Sequence, residues 1–129
     1  MGHNRNIEKG SRTALITGAA GGIGQCLTRR LAELGYQLIL SGLNAEKLEI
    51  MARQLRERYD LRIETIPLDL ARPEAAQELF TRVRVLGMHV DVLINNAGTF
   101  SFLDTLRTPV DRIEKILYLH SVTTTLTCR

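Results

Sequence analysis

The sequence predicts an α/β fold: four parallel strands in the order 3-2-1-4, with helices on both faces. Three observations predict it. Short apolar runs alternate with longer segments whose apolar residues recur at helical spacing, giving β-α-β-α-β-α-β-α over 129 residues. That alternation implies parallel strands joined by right-handed crossovers, because each intervening helix returns the chain to the starting end of the sheet. A glycine-rich stretch directly follows the first strand, where half of a doubly wound sheet places one. The length suits one domain, and 44% hydrophobic with 24% charged residues is ordinary globular composition.

Each element has its own signal. Thr13 to Ile16 is a β-type run ending at Thr17-Gly18. Ile23, Leu27, Leu31 and Leu34 then form a helical stripe, closed by Gly35 as a left-handed cap. Gln37 to Leu40 is the second strand. Asn44 caps a helix carrying Leu48, Met51, Leu55 and Tyr59 on one side. Arg62 to Leu68 supplies the third strand, with Pro67 near its end. Pro73 fits the first turn of a third helix, with Ala76, Leu79, Phe80 and Val83 facing inward and Arg72 a poor cap. Val90 to Ile94 reads as a fully buried fourth strand. Thr108-Pro109 opens the last helix, with Asp111 completing a rough capping box and Ile113, Ile116, Leu117 and His120 on one face. No fifth strand follows, so the expected sheet stops before one. Residues 1–11 read as a polar tail without the apolar core of a secretory signal.

Composition excludes several functions. No apolar run approaches the ~18 residues needed to span a bilayer. The net charge of +3 is spread among both signs. Its densest cluster (Arg53, Arg56, Arg58, Arg62) is interrupted by Glu57 and Asp60 and reads as a solvated helix face, so neither a nucleic-acid nor a membrane partner is expected. Cys26 and Cys128 form no metal or redox spacing, which points to a reduced, cytoplasmic chain without a metal.

The chemistry lies in Thr17-Gly18-Ala19-Ala20-Gly21-Gly22-Ile23-Gly24. Glycines there let the backbone turn tightly and approach a ligand, and a helix starting near Gly22 aims free N–H groups and its positive end at the same place. That is an anion site suited to a pyrophosphate. The spacing is G-x-x-x-G-x-G; Leu27 rules out G-x-G-x-x-G, and no Gly-Lys-Ser/Thr follows to make a P-loop. At the end of the second strand, Ser41-Gly42-Leu43-Asn44 offers neither an acid for a ribose hydroxyl nor an arginine for a 2′-phosphate. Lys47 is a weak substitute. The cofactor reading is NAD(P), leaning to NADP.

These residues have a family likeness. Thr17 to Gly24 resembles the T-G-x-x-x-G-I-G loop of the short-chain dehydrogenase/reductase family, Asn95-Asn96-Ala97-Gly98 is similar to its N-N-A-G motif, and Asp69-Leu70 to its Asp-hydrophobic pair. The resemblance covers residues 12–129 and implies a partial Rossmann-like, NAD(P)-binding domain of an oxidoreductase acting on a carbonyl or alcohol. It places Gly18, Gly22, Ile23 and Gly24 at the pyrophosphate, Asp69 and Leu70 at the adenine, and Asn95 and Gly98 beside the adenosine ribose and the cofactor's midsection, with Ala20, Leu43 and Ala97 also among the cofactor-binding residues.

The family acts through a Ser, a Tyr-x-x-x-Lys pair and an Asn. Tyr36, Tyr59 and Tyr118 are followed four residues on by Leu40, Ile63 and Val122, so no such pair occurs in these residues. His120 stands at the family's Asn position. The reading is therefore the cofactor-binding half of a longer dehydrogenase, inactive alone. A truncated gene product or a non-catalytic nucleotide-binding or interaction module is the alternative. A bare fourth strand predicts self-association, most simply a dimer.

Overall fold

The computed structural model describes residues 8–129. The strands are β1 (Thr13–Thr17), β2 (Gln37–Gly42), β3 (Ile63–Pro67) and β4 (Val92–Ile94), interleaved with helices α1 (Gly22–Glu33), α2 (Ala45–Tyr59) and α3 (Ala75–Leu86). A 3₁₀ turn (Thr105–Arg107) precedes α4 (Val110–Leu117), a π-helical turn (Tyr118–Thr123) and α5 (Thr124–Thr127). All pairings are parallel, in the order β3-β2-β1-β4, as the alternation demands. The register sets Ile16 between Leu40 and Ile94.

Alternation along the strands divides the core in two. Ala14, Ile16, Leu38, Leu40 and Ile63 pack with Leu48, Met51, Ala52 and Leu55 of α2. Leu15, Ile39 and Ile66 meet Ala75 and Leu79 of α3 and Leu119 of the π turn. Leu38, Ile39 and Leu40 are fully buried, each contributing about 1.5–3 kcal/mol of transfer free energy. Because both faces are covered, β1 and β2 read as continuous apolar runs.

The caps follow local chemistry. Gly35 adopts φ +85°; its N–H reaches Ala32 O at 2.9 Å and that of Tyr36 reaches Leu31 O at 3.1 Å, which closes α1 in a Schellman motif. Asn44 Oδ1 accepts from Lys47 N–H at 2.9 Å and caps α2.

Several expectations need correction. The face of α1 that meets the sheet is Gly24, Thr28 and Ala32; Ile23 and Leu34 are 72% and 44% exposed. Small side chains one turn apart let this helix approach the strands more closely than a leucine stripe permits. Phe80 and Leu117, expected inward, are both 55% exposed. Helix α3 starts at Ala75, beyond Pro73, because Glu74 takes a left-handed φ of +60°. Thr108 caps nothing: its hydroxyl donates to Asp104 O at 2.9 Å, and Pro109 occupies the cap position of α4. Strands three and four are shorter than their apolar runs. Part of the expected N-terminal tail, residues 1–7, lies outside the described residues. Gly10, within it, joins the fold by donating to Gly35 O at 2.8 Å.

Candidate functional site

The C-terminal ends of β1 and β4 meet where strand order reverses, and the glycine loop fills that junction. Gly21 N–H turns back to Gly18 O at 3.1 Å, and Ala19 N–H reaches Ser41 O at 3.1 Å, tying the loop to β2. Gln25 N–H makes the first helical bond of α1, to Gly21 O at 2.8 Å. The N–H groups of Gly22, Ile23 and Gly24 thus stand ahead of the helical ladder, and no acidic residue occupies this first turn. Gln25 Nε2 donates to Ala20 O at 2.9 Å, which braces the loop from within.

The glycines have different reasons for being glycine. Gly18 has φ +63°, and a Cβ there would lie 2.8 Å from Ala97 Cα. A Cβ on Gly24 would lie 2.0 Å from Gly18 O. Both are required by packing of the loop against itself and β4. A Cβ on Gly22 would meet nothing within 4 Å, so Gly22 alone of these three opens onto free space.

What holds the loop to β4 is a pair of residues that the sequence reading did not single out. Asn96 Nδ2 donates to Thr17 O at 3.2 Å and Gly18 O at 3.1 Å. The backbone N–H groups of Asn96 and Ala97 both donate to Thr17 Oγ1 at 3.1 Å. The available signal was the Asn95-Asn96 pair itself. Neighbouring residues in extended chain point to opposite sides, so only one could face the loop, and the pattern does not say which.

Asn95 faces the other way. It accepts from Thr127 Oγ1 at 3.0 Å, and its Nδ2 lies 3.4 Å from both Thr124 O and Cys128 Sγ. Its side chain is engaged by α5. Asp69 is exposed and accepts from Ala71 N–H at 2.9 Å, an Asx turn. Leu70 is buried, and its carbonyl accepts from Thr123 Oγ1 at 2.8 Å. Leu43 stands 77% exposed at the end of β2. His120 does not pack into the core: it is exposed, with Nε2 3.0 Å from Thr99 N and 2.6 Å from Thr99 O. Its Cε1 sits 3.1 Å from where a Cβ on Gly98 would be. The last helix is thus interrupted at the residue that touches the N-N-A-G loop, and π turns recur at such places.

Among the described residues no group of His, Cys, Asp and Glu could hold a metal, and no helix is long and apolar enough to cross a membrane.

A parallel sheet in the order 3-2-1-4, with a glycine loop at its switch point, defines a Rossmann-like α/β protein of the doubly wound class. Within that class the chain belongs to the short chain dehydrogenase family, whose profile matches residues 12–129. The 3-oxoacyl-acyl-carrier-protein reductase of Rickettsia bellii is 37% identical over 92 residues, covering 71% of this chain and 35% of that protein. A short-chain dehydrogenase from Sphingobium yanoikuyae, solved with NADPH, superposes with a TM-score of 0.83 at 30% identity, covering 91% of this chain and 46% of the other. An NAD⁺-bound xylitol dehydrogenase gives a TM-score of 0.77 at 28% identity, covering 95% and 47%. The chain spans about half or less of the length of these relatives.

Proposed function

We propose that residues 12–129 form the dinucleotide-binding part of an NAD(P)-dependent oxidoreductase that acts on a carbonyl or alcohol. The observation that carries this is a helix N-terminus with no acid in its first turn, where a Cβ on Gly22 would meet nothing within 4 Å. The residues fit the group. Gly22, Ile23 and Gly24 supply donors for a pyrophosphate, while Gly18 and Ala20 shape the loop. Leu43 flanks the ribose, Asp69 and Leu70 flank the adenine, and Asn95, Ala97 and Gly98 border the remainder. When bound, the nicotinamide supplies the carbon that gives or takes hydride; the chain's own part is to bind and orient.

The cofactor reading leans to NADP. Residues 41–44 carry no carboxylate to repel a 2′-phosphate, and Lys47 stands within the first turn of α2. The relatives include both kinds: one bears NADPH and one NAD⁺. Two exposed free cysteines, Cys26 and Cys128, fit a reducing cytoplasm. The second reading is a binding module without catalysis. Hydride transfer from NADPH to a panel of carbonyl compounds separates the two. A second copy, pairing along β4, beyond which no strand lies among the described residues, is the proposed partner.

The test is a titration with NADPH followed by nicotinamide fluorescence. Gly22→Asp sets a carboxylate against the phosphates and is expected to abolish binding while the fold is retained. Undiminished binding in that variant overturns the loop assignment.

A further inference from the structure

We propose that the groove between β3 and α3 binds an amphiphilic carboxylate, with its apolar chain along Ile66, Val85 and Leu86 and its anionic head on Arg82. The groove has a volume of about 280 Å³ and is lined by Thr65, Ile66, Thr81, Arg82, Val85 and Leu86. It lies at the edge of the sheet away from β4, and none of its lining residues belongs to the glycine loop or to Asn95–Gly98.

Three observations carry the chemistry. First, the lining offers carbon rather than hydrogen-bond donors. The Thr81 hydroxyl donates to Gln77 O at 3.0 Å and the Thr65 hydroxyl to Glu49 Oε2 at 3.2 Å, so both donor hydrogens are spent inside the fold. Second, the groove has a fixed floor and an open wall: Ile66 is 3% exposed and Val85 82%. Its volume falls just under the range of drug-sized ligand sites, about 300–1,000 Å³, which fits a chain of medium length.

Third, the rim carries a positive charge left over. Arg72 and Arg82 share the one carboxylate of Glu78. Arg82 also donates to Pro67 O at 3.0 Å, so its guanidinium is held at the groove and does not swing freely in solvent. A fixed guanidinium beside an apolar trough matches a carboxylate joined to a hydrocarbon chain: the head takes charge-assisted hydrogen bonds and the chain leaves water.

The test is a series of acetate, butanoate, hexanoate and octanoate, each below its micelle concentration, followed by NMR shifts of the protein as isolated. Octanoate is expected to move Thr65, Ile66, Thr81, Val85 and Leu86 saturably. Affinity is expected to rise by up to about fourfold per buried methylene, the fold-change for one CH₂ leaving water, and to level off when the groove is full. Octanol is expected to move the same residues but to bind about twofold to fivefold more weakly, the range of an exposed ion pair. Arg82→Gln is expected to lower octanoate to the level of octanol and to leave octanol unchanged, and Arg82→Lys to recover most of the loss. Val85→Asp, at an exposed position that the core does not use, is expected to weaken both ligands.

Octanoate that moves no groove residue saturably, or that binds no better than acetate, overturns the proposal. So does undiminished octanoate binding by Val85→Asp. Equal affinity for octanoate and octanol, unmoved by Arg82→Gln, overturns the anionic head. Shifts at Thr65 and Val85 that follow protein concentration without any ligand put a second copy in the groove, and the carboxylate site is then wrong.

Discussion

Asn96 and Thr17 hold each other twice. The Asn96 side chain donates to the Thr17 carbonyl at 3.2 Å, and the Thr17 hydroxyl accepts the Asn96 N–H at 3.1 Å. Together they lock the end of β4 to the end of β1 where the glycine loop begins. The two residues are 79 positions apart in sequence, so this is a long-range closure that no local pattern announces.

Asn96→Ala removes two donors from partly buried carbonyls and leaves Thr17 O and Gly18 O without that partner. We expect a loss of about 1–3 kcal/mol in unfolding free energy by urea denaturation. Thr17→Val removes the reciprocal acceptor. Because the residues share one network, the double variant is expected to cost less than the sum of the singles. Strict additivity would show that the two contacts are independent.

The glycines separate stability from binding. Gly24→Ala drives a Cβ to 2.0 Å from Gly18 O, backbone against backbone, and the loop must shift. A fall of about 1–3 kcal/mol is expected, in the range of overpacked sites. Gly22→Ala meets no atom within 4 Å and sits in a helical turn, so stability is expected to hold or rise by about 0.4–1 kcal/mol. Its methyl group enters the space assigned to the pyrophosphate, so NADPH affinity is expected to drop while the melting temperature does not. The opposite pattern would exchange the roles given to these two glycines.

Why the sequence reveals some of this and not the rest is visible in single residues. Strand order was legible because alternation and the crossover rule leave few topologies, and Gly35 and Asn44 cap their helices as their chemistry dictates. Helix faces were less legible. Periodicity finds a stripe of large apolar residues, but α1 meets the sheet through Gly24, Thr28 and Ala32, since close approach favours small side chains there. The π turn at His120 is invisible to a 3.6-residue period. The loop was placed by its glycines, but the residue that holds it, Asn96, had an identical neighbour on the opposite side of the chain.

Acid should weaken the fold through two glutamates. Hydrogen bonding from Arg56 holds the Glu49 carboxyl below the ordinary glutamate range, and hydrogen bonding from Arg72, with the charge of Arg82, does so for Glu78. A depressed folded-state value means that the unfolded chain binds more protons in acid. Their contribution is therefore complete above the ordinary glutamate value of 4.5 and is lost as pH falls through the lowered folded values. The Glu49 side chain is 56% exposed and that of Glu78 30%, so solvent screening keeps the effect small. The urea midpoint is expected to decline below about pH 4.5 in the wild type, and less steeply in a Glu49→Gln, Glu78→Gln double variant. An unchanged slope would mean that other carboxylates set the acid limb.

The two edges of the sheet are treated differently, and this decides where a further strand can add. Along β3, β2 takes the Arg62 carbonyl and the Leu68 N–H, so the odd-numbered residues between turn their backbone groups outward. Arg56 closes Ile63 O from Nε at 2.8 Å, Arg82 closes Pro67 O at 3.0 Å, and Pro67 has no N–H to offer. Charged side chains and a proline are how sheets blunt an edge. Among the described residues no strand lies beyond β4, whose Val92, Leu93 and Ile94 remain partly exposed. Self-association is therefore expected through β4: sedimentation equilibrium should show a concentration-dependent dimer. Arg56→Ala with Arg82→Ala reopens the other edge, at a stability cost of about 1 kcal/mol or less per exposed ion pair, and light scattering should then show growth beyond the dimer. Wild-type protein that remains monomeric at all concentrations would mean that twist and side-chain cover protect β4 as well, and the edge argument would fail.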